Sequence, residues 1–174
     1  MEALVFWKAV TVDHANFLEQ LIALLNEHDI RYCVIGGQAV NAYVEPLVSL
    51  DLDLVIATEQ MQEVESLFRA SFRVEQFPHS LNVSTPGSKL RVQIQTDPRY
   101  ASFVSGAERR EVLGLILAVA SVEDTLRGKV WAAQDPTRRA SKRRKDLLDI
   151  ERLLESYPHL RSQTPQDILA QLIK

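Results

Sequence analysis

A single cysteine, Cys33, rules out an internal disulfide, and its setting in Tyr32-Cys33-Val34-Ile35 predicts a small buried hydrophobe in a reducing compartment. Six Gly and seven Pro in 174 residues exclude a collagen-like or low-complexity chain. No apolar run reaches the ~20 residues that a bilayer demands. The nearest, Val112 to Ala120, is read as core. Twenty basic against twenty-three acidic residues leave a net charge of -3, so any contact with nucleic acid or nucleotide has to come from a local basic cluster. The stretch Met1 to Lys8 has an early acid and no basic flank ahead of its apolar part, unlike a secretory signal, and this predicts a cytoplasmic protein with no membrane partner. Glycine-rich P-loop and dinucleotide fingerprints and the Gly-x-Ser-x-Gly elbow are absent, and His14, His28, His79 and His159 lack zinc spacing.

What is present, 46% hydrophobic and 25% charged residues, suits one compact unit able to bury a core. Asp13 is placed to cap a helix whose apolar residues Phe17, Leu18, Leu21, Ile22, Leu24 and Leu25 recur at helical spacing, and Asp29 closes it. Arg31 to Ile35 reads as a buried strand, broken by Gly36-Gly37. A short helix over Gln38 to Tyr43 stops before Pro46, and Leu50 to Ile56 alternates as a strand with an acidic face. Thr58 is placed to cap a helix carrying Met61, Val64, Leu67 and Phe68. Strands follow near Phe72 to Phe77 and Leu81 to Ser84, then the turn Pro86-Gly87-Ser88, the strand Leu90 to Thr96, and one strand over Glu111 to Ala120 bent at Gly114. From Ser121, which forms an N-terminal capping pattern with Asp124, the pattern is helical: one helix to about Gln134, another over Ala140 to Tyr157, and a short one after Thr164-Pro165. The expected fold class is α+β, a mixed sheet flanked by helices in residues 1–120, with residues 121–174 a helical segment packed on it.

The chemistry concentrates in Ile35-Gly36-Gly37 and, with thirteen residues between, in Asp51-Leu52-Asp53. Two glycines between a strand and a helix let backbone N–H groups approach a phosphate, and the helix N-terminus adds a favourable field. Residues i and i+2 of a strand share a face, so Asp51 and Asp53 aim two carboxylates at one place. Crowding like charges on a strand otherwise built from Leu and Ile raises their pKa unless a cation compensates, and paired hard oxygen ligands suit Mg²⁺. A run of six bases in eight residues, Arg138 to Lys145, supplies the local positive charge.

On these residues the chain resembles the polymerase-beta-like nucleotidyltransferase superfamily, closest to its minimal and abortive-infection-type branches. Those branches often carry an Arg and a Thr just before the acidic pair, where this chain has Leu47 and Ser49. The resemblance implies a Mg²⁺-dependent transfer of a nucleoside monophosphate from an NTP to a hydroxyl of a protein, a tRNA or a small molecule, with a toxin role, an antitoxin partner or a homo-oligomer among its associations. It implies that Asp51 and Asp53 bind the metal. Gly36, Gly37, Gln38, Ser49, Lys129, Lys145 and Asp146 would contact or order the nucleotide, and Asp146 or Asp149 would orient Lys129. It also implies a third carboxylate on the strand Leu90 to Thr96, where the polar phase holds Gln93 and Gln95, and Asp97 is the first acid in that phase. The alternative is a fold that has lost catalysis and binds nucleotide, RNA or a protein.

Overall fold

The computed structural model describes residues 2–13 and 15–172. Met1, at the head of the stretch read for a signal, and His14, one of the four histidines read for zinc spacing, lie outside them. Seven strands form one mixed sheet: β1 (Tyr32–Ile35), β2 (Asp51–Ile56), β3 (Arg73–Phe77), β4 (Ser80–Ser84), β5 (Arg91–Gln95), β6 (Glu108–Val112) and β7 (Leu115–Val119), in the spatial order β3-β4-β5-β2-β1-β7-β6. β1 and β2 are antiparallel, whereas β2 with β5 and β1 with β7 are parallel. β1 is apolar and buried throughout, whereas the first half of β2 alternates partly exposed Asp51 and Asp53 with buried Leu52 and Leu54 before the buried run Leu54 to Ile56.

The helices are α1 (Ala3–Thr11), α2 (Phe17–Glu27), α3 (Gly36–Tyr43), α4 (Met61–Ser71), α5 (Val122–Gln134), α6 (Ala140–Ser156) and α7 (Gln166–Leu169). Asp13 caps α2 from outside it, its carboxylate accepting from Phe17 N at 2.8 Å and Leu18 N at 3.3 Å. Ser121 caps α5, its Oγ accepting from Asp124 N at 3.1 Å. Thr58 opens a 3-10 turn ahead of α4 and gives no side-chain cap, because the helix proper begins three residues later at Met61.

Phe17, Leu21, Leu25, Val34, Leu52, Leu54, Phe68, Ile94 and Leu117 belong to the principal core, which covers one side of the sheet. A second core joins α3 to the C-terminal helices through Val40, Leu126, Val130, Ile150, Leu153, Leu160 and Ile168. This second core clamps α5 and α6 against the second half of α3.

Three sequence expectations change. The single strand bent at Gly114 is a hairpin, β6 and β7, whose two turn residues Leu113 and Gly114 both have positive φ, 55° and 86°. That is the turn geometry whose twist matches paired strands, and Leu113 is the unusual non-glycine member. The N-terminal helix α1, outside the sequence expectation, packs its Leu4 backbone so close to Gly114 that a Cβ there would lie 2.3 Å from Leu4 N. The helix after β1 begins at Gly36 itself, two residues earlier than its apolar pattern suggests, so the glycines form its first turn. No helix among the described residues is long and apolar enough to cross a membrane.

Candidate active site

The α3 N-terminus, the C-terminal end of β1, the start of β2 and the facing walls of α5 and α6 enclose a cleft of about 240 Å³. Gly36, at the mouth of α3, has φ +71°, and a Cβ there would stand 2.4 Å from Asp53 Oδ2. The missing side chain is what seats the Asp53 carboxylate against the start of the helix. No side chain caps the first turn of α3, leaving its N–H groups available to an anion.

Asp51 and Asp53 lie on one face of β2, Asp53 opposite Ile35 on β1 and opposite Gln93 on β5. Asp53 Oδ1 is buried and has no hydrogen-bond partner among the described residues. Burial pushes its pKa from the ordinary 3.8 up to about 6, Lys129 pulls it down and the charge of Asp51 adds to the rise. Asp51 is half exposed, and its Oδ1 accepts from Arg91 Nε at 2.7 Å, an exposed cross-strand pair. Two hard carboxylates, one with an orphaned buried oxygen, fit a divalent cation that completes its shell with water and phosphate oxygens. Among the described residues no cluster of three His, Cys, Asp or Glu side chains capable of holding a metal occurs, so the pair would be the protein's share of such a shell.

The opposite wall is a buried ionic network. Lys129 on α5 is 7% exposed, and its Nζ lies 3.1 Å from Asp146 Oδ1 and 2.9 Å from Asp149 Oδ2, both on α6. Burial disfavours its charge, but Asp149 and Asp146 outweigh that and hold its pKa above the ordinary lysine value. Asp149, whose burial opposes ionisation, is in turn kept below the usual carboxylate range by Lys129 and Lys145. Lys145 Nζ reaches Asp149 Oδ2 at 2.6 Å, Arg152 Nη1 reaches its Oδ1 at 2.8 Å, and Arg138 forks onto Asp146. Asp146 and Asp149 therefore both hold Lys129 and both pair with neighbouring bases. Lys145 Nζ also lies 4.0 Å from where a Gly37 Cβ would be, spanning the cleft from α6 to α3.

Of the other sequence-named residues, Ser49 lines the cleft and its Oγ accepts from Asp51 N at 3.3 Å. Gln38 does not line it. Because α3 starts at Gly36, position 38 turns inward, and the buried Gln38 donates from Nε2 to Ser49 O at 3.2 Å, tethering the loop between α3 and β2. Asp97 stays out of the cleft wall as well. Pro98 starts a 3-10 turn over Pro98–Phe103, with Asp97 as its cap accepting from Arg99 N at 2.9 Å. The Arg99 guanidinium, 3.0 Å from Asp97 Oδ2, holds that carboxyl below the usual carboxylate range. Gln93 and Gln95 line the cleft where the resemblance implies a third acid.

Sequence reasoning missed Tyr100, Asp124, Thr125 and Gly128 as cleft residues. Asp124 shows in the sequence as part of a cap, and nothing local marks Tyr100, which reaches the cleft because Gly128 leaves room: a Cβ there would stand 3.2 Å from Tyr100 Cε1. Tyr100 packs edge-on against Phe103 and Trp131, with ring centroids 5.3 and 5.1 Å away, and burial pushes its hydroxyl pKa up to about 12. Arg138 and Lys142 also line the cleft, and the basic run was their signal.

No family model and no curated protein matches the chain. Solved structures do. The antibiotic-resistance factor ANT(2'')-Ia, in complex with adenylyl-2''-tobramycin, is 16% identical and aligns over 85% of this chain and 97% of that one with a TM-score of 0.54. The lincosamide antibiotic adenylyltransferase LnuA, lincomycin-bound, is 12% identical over 82% of this chain and 99% of that one, TM-score 0.54. An antigenic nucleotidyltransferase-like protein from Paracoccidioides brasiliensis is 20% identical over 94% and 95%, TM-score 0.51. With its mixed sheet, its glycine-led α3 and its flanking helices, the chain has the polymerase-beta-like nucleotidyltransferase fold.

Proposed function

We propose that the protein is a Mg²⁺-dependent nucleotidyltransferase that moves a nucleoside monophosphate from an NTP to an acceptor oxygen. The observation that carries this reading is the seating of Asp53 against side-chain-free Gly36, which puts two carboxylates and the uncapped N-terminus of α3 in one cleft. Asp51 and Asp53 would hold the metal, and when bound it neutralises charge on the phosphates. The N–H groups of Gly36 and Gly37 and the ammonium of Lys145 would receive the triphosphate, with Arg138 and Lys142 adding positive charge along the same wall, a role supported by their lining one cleft. Lys129, fixed between Asp146 and Asp149, holds a full positive charge facing Asp53. Such preorganised charge needs no rearrangement as the α-phosphate is attacked and pyrophosphate leaves.

Calorimetric titration with NTP and Mg²⁺ tests the reading: the unmutated protein is expected to bind, and Asp51→Ala/Asp53→Ala to lose at least tenfold in affinity. No binding by the unmutated protein defeats it. Gln93 and Gln95 in the cleft favour a second reading, a nucleotide-binding module without transfer. Labelled NTP that binds but is transferred to nothing in a cell extract supports that second reading.

A further inference from the structure

Transfer to a neutral hydroxyl needs a group that takes its proton as the new P–O bond forms. On the wall beside Asp53 the residue in register is Gln93, followed on the same face by Gln95, and both carboxamides line the cleft. An amide donates and accepts hydrogen bonds but takes up no proton at neutral pH. The neighbouring acids are engaged elsewhere. Asp97 is outside the cleft wall and locked by Arg99, and Asp124 Oδ1 is held by Arg127 Nη1 at 2.7 Å. The remaining acids of the cleft are the metal pair and Asp146, which is tied to Lys129 and Arg138.

The same cleft is lined by Arg138, Lys142 and Lys145. Lys142 makes no ion pair among the described residues and is exposed, as are Arg139 and Arg144 on the same segment. This cationic rim attracts an anion and repels a cationic acceptor.

Resting on the nucleotidyltransferase reading, we infer that the acceptor is a phosphate monoester and not a hydroxyl. Its second ionisation lies near pH 6, so at neutral pH its oxygen arrives already deprotonated. One monoester oxygen donates its electron pair to the α-phosphorus of the NTP and forms a P–O–P link. The bond from the α-phosphorus to the α,β-bridging oxygen breaks, and pyrophosphate leaves with that electron pair. No proton has to be removed, so carboxamides serve where a base would otherwise stand, donating N–H to the incoming anion. The product is a pyrophosphate-linked nucleotide conjugate.

The experiment incubates the full chain with Mg²⁺, an NTP labelled at the α-phosphate, and cell extract in two states: untreated, or stripped of phosphate monoesters by alkaline phosphatase that is then heat-inactivated. Calorimetric NTP binding is measured on the same preparation. Expected is label transfer in untreated extract that falls at least tenfold after stripping, with the new bond cleaved by a nucleotide pyrophosphatase. Separating the extract by size beforehand distinguishes a small phosphorylated metabolite from a 5′-phosphorylated RNA. NTP binding with label transfer that survives stripping overturns the inference and leaves the transferase reading standing. NTP binding with no transfer to either extract overturns the inference in favour of the binding module. Absence of NTP binding overturns both.

Discussion

Asp53 carries a charge that folding penalises, and Asp53→Asn removes it at nearly constant shape. Below its ordinary value of 3.8 the carboxyl is protonated in the folded and the unfolded chain alike, and it contributes nothing. Between 3.8 and about 6 the unfolded chain has released a proton that the folded protein still holds, so stability falls as pH rises. Above about 6 the whole penalty is present. A displacement from 3.8 to about 6 corresponds to roughly 3 kcal/mol at about 1.36 kcal/mol per tenfold change, and solvent screening at the partly exposed Asp53 reduces this to about 2 kcal/mol. At about 2–4 °C per kcal/mol for a chain of this size, Asp53→Asn is expected to melt about 4–8 °C higher than the unmutated protein at pH 8 and no more than about 1–2 °C higher at pH 4, where most of the penalty has gone. Adding Mg²⁺ and NTP should reverse the order at pH 8, because the unmutated protein gains ligand stabilisation and the variant does not. Thermal unfolding followed by circular dichroism at the two pH values, with and without ligand, gives all of these numbers. Equal melting at pH 8, or the same gain at pH 4 as at pH 8, would refute the reasoning.

Gly36→Ala forces a side chain to φ +71° and into the Asp53 carboxylate, so it should cost about 1–2 kcal/mol in urea unfolding and lower Mg²⁺-NTP affinity at least tenfold by calorimetry; unchanged affinity would show that the seat of Asp53 is immaterial. Lys129→Met leaves Asp146 and Asp149 buried without their shared cation and should cost about 3–5 kcal/mol in urea unfolding, with much of that recovered when Asp146→Asn and Asp149→Asn are added; a loss below about 1 kcal/mol contradicts the network. Arg91→Ala breaks an exposed pair and should change stability by less than about 1 kcal/mol while freeing Asp51, so divalent affinity by calorimetry should stay equal or rise; a fall would make Arg91 part of the site.

The parts legible in the sequence are those written into local periodicity and local stereochemistry. Asp51 and Asp53 share a face because a strand alternates, and Gly36 marks a position where backbone must turn and a side chain cannot stand. Asp13 and Ser121 are caps because their side chains reach N–H groups a few residues away. The apolar spacing of α2 and α4 likewise names the faces they bury.

Contacts across long stretches of chain needed the tertiary structure. Arg91 lies on Asp51 because parallel pairing of β2 with β5 aligns positions forty residues apart, and the identity of each strand says nothing of their register. Asp97 follows the phase of β5 on paper, but Pro98 ends the strand and turns that carboxylate into a cap. Position 38 shows how two residues of difference at a helix start, invisible to an apolar pattern, rotate a side chain from cleft to interior. The sequence by itself determined which chemistry the chain carries, glycine, paired acids and a basic run. Only the packing of α5 against α6 decided which of those charges meet, because burial of Lys129 between Asp146 and Asp149 is a property of two helices brought together and of neither alone.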